Sequence, residues 1–94
     1  MFLVSISYEK ELSEVDQIID DHVVYLKKYY ALGNFLLSGR KVPRTGGVIL
    51  VKASSREELN AIVAEDPFTI AGVASYTVIE FVPTMSAKEC EFFP

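Results

Sequence analysis

Three places in this chain carry side chains able to do chemistry: the single histidine, His22, the aspartate of an Asp66-Pro67 pair, and the segment Ser38-Gly39-Arg40. His22 lies four residues after Ile18 and four before Leu26, so on a helix it joins the inward stripe. Imidazole changes charge nearest neutral pH, which suits it to proton transfer, but the same placement also fits a satisfied core or boundary residue. Asp20 and Asp21 point elsewhere on that helix and make poor partners for it. Asp66 before a proline reads as a helix N-cap. A second reading has one carboxylate oxygen capping the turn while the other holds the His22 ring, fixing its tautomer and raising the basicity of the far nitrogen. At Ser38-Gly39-Arg40, a glycine near a strand end lets backbone approach a ligand, and arginine offers a fork for a carboxylate or phenolate. A β-bulge beside a solvated arginine reads the same residues without function.

Other chemistries find less support. One His and one Cys far apart make no zinc cluster of the usual spacing. Cys90 has no surrounding motif and sits in a tail, and no serine lies in a nucleophile elbow. Gly46-Gly47 is too short for a phosphate loop and reads as a hairpin turn. Tyr29 and Tyr30 read as core or interface. No metal and no cofactor is expected.

The elements that must position these residues follow from periodicity. Phe2, Val4, Ile6 and Tyr8 alternate with smaller or polar residues, the pattern of a strand with one buried face. Ser13 to Asp16 reads as a capping box opening a helix whose stripe is Val15, Ile18, Ile19, His22, Leu26, Tyr29 and Tyr30, closed by Gly33. An extended segment runs from Phe35 to near Arg40. Val48 to Val51 suits a central strand covered on both faces. Ser55 to Glu58 is a second capping box, opening a helix that buries Leu59, Ile62 and Val63. Asp66-Pro67 stops it and starts one further turn closed by Gly72. Tyr76 to Val82 is the last strand.

The order strand, helix, strand, strand, helix, strand predicts an α+β, ferredoxin-like β-α-β-β-α-β domain, an antiparallel sheet with two helices on one face. Phe2, Val4, Ile6, Val48, Leu50, Val78 and Glu80 cannot all turn toward those helices, so a homodimer packed sheet to sheet is expected. With 94 residues the chain is read as a single domain over 1–94. Its tail, 84–94, carries Phe92-Phe93-Pro94 and is expected to dock on the domain or on a partner subunit.

Composition narrows the function classes. Half the residues are apolar and the net charge is −4, which argues against nucleic-acid or anionic-membrane partners despite the local cluster Lys27, Lys28, Arg40, Lys41 and Arg44. No apolar run approaches the roughly 20 residues that cross a bilayer. A lone cysteine and the lack of a signal-peptide pattern predict a cytoplasmic protein.

Taken together, His22 on its helix, Ser38-Gly39 after the second strand, Gly46-Gly47, and Asp66-Pro67-Phe68 followed by Ala71-Gly72-Val73 resemble the YciI-like family over nearly the whole chain. The resemblance implies a dimeric ferredoxin-like α+β barrel with a His-Asp site in a cleft, and places the family's histidine on His22 and its aspartate on Asp66. Many members have proline after the Ser-Gly pair, where this chain has Arg40, either adding an anion contact or marking another subgroup. The expected function is a small acid–base enzyme, an isomerase, lactone-converting enzyme or dehalogenase-like lyase. It would act on a small cyclic or enolisable molecule, with His22 and Asp66 catalytic and Ser38, Gly39 and Arg40 binding substrate. The alternative is a non-enzymatic metabolite-binding or interaction module on the same dimeric barrel.

Overall fold

Strand pairing organises the molecule, and a computed structural model describes residues 1–90 of it. Strands β1 (Phe2–Tyr8), β2 (Phe35–Arg40), β3 (Gly46–Val51) and β4 (Ala74–Glu80) form one antiparallel sheet in the order β2-β3-β1-β4. Helices α1 (Leu12–Asp16), α2 (Ile19–Ala31), α3 (Arg56–Ala64) and α4 (Pro67–Ile70) connect them, and a 3₁₀ turn spans Lys88–Cys90. This is the expected ferredoxin-like α+β order, with α4 as the expected turn after Asp66-Pro67 and the first helix divided into α1 and α2.

The alternation read in β1 decides which face is buried. Phe2, Val4 and Ile6 are buried against Tyr25 and Tyr29 of α2 and Leu59, Ile62 and Val63 of α3. A smaller core joins Val15, Phe68 and Val73. Fully burying an apolar side chain of this size stabilises by ~1.5–3 kcal/mol, so these two clusters carry most of the folding energy.

Five local expectations are corrected. First, Ser13 caps nothing. Glu14 and Val15 already donate to the Glu11 carbonyl, so the N-cap is Glu11, and the helix breaks at Gln17–Ile18 before α2 begins. That break lets Val15 drop into the smaller core while α2 keeps its own stripe on the sheet. Second, the α2 stripe is centred on His22, Tyr25 and Tyr29, with Leu26 half-buried and Tyr30 exposed. Tyr25 can be buried because its hydroxyl donates to the Ile62 carbonyl at 2.9 Å.

Third, Gly46 and Gly47 belong to β3; the turn is formed by residues 41–45, where Lys41 N–H donates to the Gly46 carbonyl at 2.9 Å. A Cβ on Gly46 would lie 1.8 Å from the Ile6 carbonyl oxygen, so the β1–β3 approach needs glycine there. Fourth, β4 runs from Ala74 to Glu80 instead of Tyr76 to Val82, because its ladder with β1 ends at the Phe2–Glu80 pair. Fifth, β3 is interior in the sheet but covered by helices on one face: Ile49 and Val51 are buried, Val48 and Leu50 only partly.

Three further expectations on these elements hold, at Ser55, Gly33 and Gly72. Ser55 caps α3 by accepting from Glu58 N–H at 3.1 Å, and Glu58 reaches back to Ser54 N–H at 3.0 Å. Gly33 and Gly72 have φ of +87° and +71° at the ends of α2 and α4. The one bulge in β2 falls at Leu36, not at Gly39. No described helix is long and apolar enough to cross a membrane. The aromatic end of the tail, Phe92 to Pro94, lies outside the described residues.

Candidate active site

Asp66 sits in extended conformation ahead of Pro67, whose fixed φ starts α4 without needing an N–H donor. Its Oδ1 accepts from Phe68 N–H at 2.9 Å. The same oxygen meets Nδ1 of His22 at 2.8 Å. One oxygen therefore serves both the cap and the imidazole, where two separate oxygens were expected. Both side chains are withdrawn from solvent, with His22 8% and Asp66 3% exposed. Because Oδ1 already accepts at the cap, the ring supplies the hydrogen from Nδ1, and in the neutral imidazole Nε2 holds the lone pair. Nε2 has no hydrogen-bond partner among the described residues.

Phe68 completes the setting of the ring. Its own ring stacks on His22 with centroids 4.0 Å apart and planes 12° from parallel. Asp66 and Phe68, two residues apart, thus hold the imidazole by its edge and by its face. Sequence reasoning missed Phe68 as a site residue. Its signal was the helix-start geometry itself, which turns residue 68 back toward whatever the cap oxygen holds.

Two more ties run between α2 and the end of α3. Tyr29 Oη and Lys28 Nζ both donate to the Glu65 carboxylate, beside Asp66, the lysine at 2.7 Å. The bond from Lys28, and then that from Tyr29, holds the Glu65 carboxyl below the usual carboxylate range. Burial, followed by the charge of nearby Asp66, pushes the Tyr25 phenol well above its ordinary value, so it stays a neutral donor to Ile62.

His22 lines a cavity of about 220 Å³ between α2 and the β2–β3 side of the sheet. Ile6, Ile19, Val23, Leu26, Ile49 and Phe68 give it apolar walls, and Ser38, Gly39, Arg40, Gly46 and Gly47 line it from the strands. The structure thus brings His22 and Asp66 into contact and sets Ser38, Gly39 and Arg40 around the cavity that His22 lines. Ser38 Oγ lies 2.6 Å from the Tyr30 hydroxyl. Cys90 lines a separate groove with Met1, Leu50 and Phe81, away from this cavity. Among the described residues no three His, Cys, Asp or Glu side chains converge as a metal site.

Residues 1–82 match the YCII-related domain. The chain belongs to the YCII-related family. No curated protein matches this YCII-related chain. Among solved structures it is similar to 5-chloro-2-hydroxyhydroquinone dehydrochlorinase (TftG) from Burkholderia phenoliruptrix AC1100, determined in complex with 2,5-dihydroxybenzoquinone. The TM-score is 0.73 at 21% identity, covering 87% of this chain and 94% of that one. At that identity the likeness establishes a shared fold.

Proposed function

We propose that this YCII-related protein is a small acid–base enzyme acting on a small cyclic or enolisable molecule, with His22 as the proton-transferring group and Asp66 as its orienting partner. One observation carries the reading: the His22 ring, held at Nδ1 by Asp66 Oδ1 at 2.8 Å, lines a cavity sized for a small molecule. A buried carboxylate on Nδ1 favours the charged ring once Nε2 has taken a proton. A substrate hydroxyl or C–H loses its proton to Nε2, and the freed electron pair moves into the adjacent bond. That pair then either takes a proton at another carbon, which is isomerisation, or expels a leaving group with its bonding electrons, which is elimination. The imidazolium afterwards returns its proton to carbon or to water. Ser38, Arg40 and the backbone at Gly39 would hold the oxygen on which charge develops.

The structural similarity to a protein named as a dehydrochlorinase makes elimination of chloride from a chlorinated hydroxyhydroquinone the first reaction to try. Chloride release and the quinone absorbance would be followed for the wild type and His22→Ala. General acid–base catalysis is worth about 10²–10⁴-fold, so His22→Ala is expected to lose at least a hundredfold in kcat. It should still melt cooperatively, at a lower temperature because Phe68 and Asp66 lose their partner. Equal turnover in the two proteins would end the proposal. Ligand that stabilises the protein but is recovered unchanged, across isomerisation and elimination substrates alike, would instead make it a binding module.

The remaining parts of the reading are also proposals. The chain is taken as one domain, in a reducing, cytoplasmic setting that suits its single thiol. Cross-strand register aligns Leu37, Leu50, Leu3 and Ile79 in a row on the sheet face away from the helices, and Leu37 and Ile79 are 53% and 60% exposed. A second copy packed on that row forms the homodimer. Light scattering should give a dimer for the wild type and a monomer for Leu37→Glu with Ile79→Lys; a monomeric wild type would remove this element.

A further inference from the structure

We infer that the cavity selects a planar, single-ring anion, with Arg40 meeting the anionic group and Gly47 setting the room for the ring. The inference takes from the preceding reading only that this cavity is the ligand site, and it requires no proton transfer.

The room comes from an absent side chain. Gly47 stands opposite Arg40 on β2 and opposite Ile6 on β1. Ile6 is buried toward the helices, so the position of Gly47 in the ladder faces the same side, where the cavity lies. Any Cβ at Gly47 would project there and crowd the Gly39 carbonyl oxygen at 3.0 Å. Gly46 is glycine for a different reason, the contact with Ile6 described above. A cavity near 150 Å³ takes a benzene ring, so about 220 Å³ has room for one ring with a substituent.

The charge preference comes from what does and does not line the space. Arg40 is the one Lys or Arg side chain on the cavity, and no Asp or Glu lines it among the described residues. It also has no ion pair among the described residues, whereas its neighbours are engaged. Lys41 donates to Ser7 Oγ at 3.3 Å, and Arg44 pairs with Asp16. Arg40 follows Ser38 by two residues, so both alternate onto the cavity face of β2, with Ser38 opposite buried Ile49. An exposed guanidinium keeps its hydration until a ligand arrives, and its planar fork then matches a carboxylate or phenolate edge against apolar walls.

Benzoate and benzamide share a shape and differ in charge, so their affinities test the idea directly. Calorimetry or NMR titration of the full chain at low salt is expected to show benzoate binding about tenfold tighter, the usual scale for gaining a charge-assisted arginine contact. In Arg40→Gln the two should bind within about a factor of two of each other. Gly47→Ala should weaken both ligands together, and Gly47→Val should abolish binding wherever its melt remains cooperative. Benzamide matching benzoate, a preference that survives Arg40→Gln, unchanged affinity in folded Gly47→Ala, or no binding of either ligand would each overturn the inference. Since neither probe is turned over, a positive result stands even if His22 moves no proton, and a negative one leaves the His22→Ala assay to be judged separately.

Discussion

The His22 imidazole lies flat on the Phe68 ring, 4.0 Å between centroids, while its Nδ1 is held by the aspartate two residues before that phenylalanine. A three-residue helix start therefore constrains the ring in two independent directions. Stacking fixes the plane, and the hydrogen bond fixes the rotation within it. What is left is one nitrogen, Nε2, on a ring that lines the cavity.

Asp66→Asn separates orientation from charge. An asparagine oxygen still caps Phe68 N–H and still accepts from Nδ1, so the melting temperature should fall by only a few degrees, the scale of ~1 kcal/mol in a domain this size. The charge that stabilises the imidazolium is gone, and kcat on any substrate found should drop about tenfold or more. Asp66→Ala should lose the cap as well, and ¹⁵N NMR of the ring should then show the fixed Nδ1–H tautomer of the wild type replaced by a mixture.

Phe68→Leu keeps an apolar side chain but is smaller and loses the stack. The void it leaves should cost on the order of 1–3 kcal/mol, so the variant is expected to fold with a lowered melting temperature. The upfield ring-current shift of the His22 carbon-bound protons should disappear, which a purely packing role elsewhere in the small core would not cause. Retention of that shift in the leucine variant would place the phenylalanine away from the imidazole in solution.

Of glycines 39 and 46, only the second should resist replacement by alanine. A methyl group on Gly39 would find nothing within 4 Å, whereas the same methyl on Gly46 meets the Ile6 carbonyl at 1.8 Å. Gly39→Ala should leave the urea midpoint nearly unchanged. Gly46→Ala must part β1 from β3 and is expected to cost at least the upper end of the ~1–3 kcal/mol typical of overpacking.

Acid should loosen the tie between α2 and the α3–α4 junction. The Glu65 carboxyl is held below its ordinary 4.5, chiefly by its bond from Lys28. A group whose folded value is depressed contributes stability above its unfolded value and loses it as pH falls through the folded one. Denaturant midpoints of the wild type should therefore decline as pH drops from about 5 toward 3, and Glu65→Gln should show a shallower decline over that window. Parallel curves for the two proteins would mean the tie adds nothing measurable, a common outcome for exposed ion pairs.

Much of this was legible in the chain itself. Alternation in Phe2 to Tyr8, the Ser55 cap, the glycines ending α2 and α4, and the proline after Asp66 each state a local preference, and short-range sterics and hydrogen bonding are enough to read them. The positions of His22 and Asp66 on their elements were readable for the same reason. Less readable were the features decided by contacts between distant segments. Whether Leu26 or Tyr25 turns inward depends on the Ile62 carbonyl that satisfies the tyrosine. Whether Gly46-Gly47 makes a turn or a strand depends on how closely β1 passes it. That a single oxygen of Asp66 both starts a helix and holds an imidazole 44 residues away is a matter of how α2 and α4 pack. Local sequence determined which residues could cap, bend or alternate, and only the tertiary structure, by setting distances across the chain, decided which of them meet.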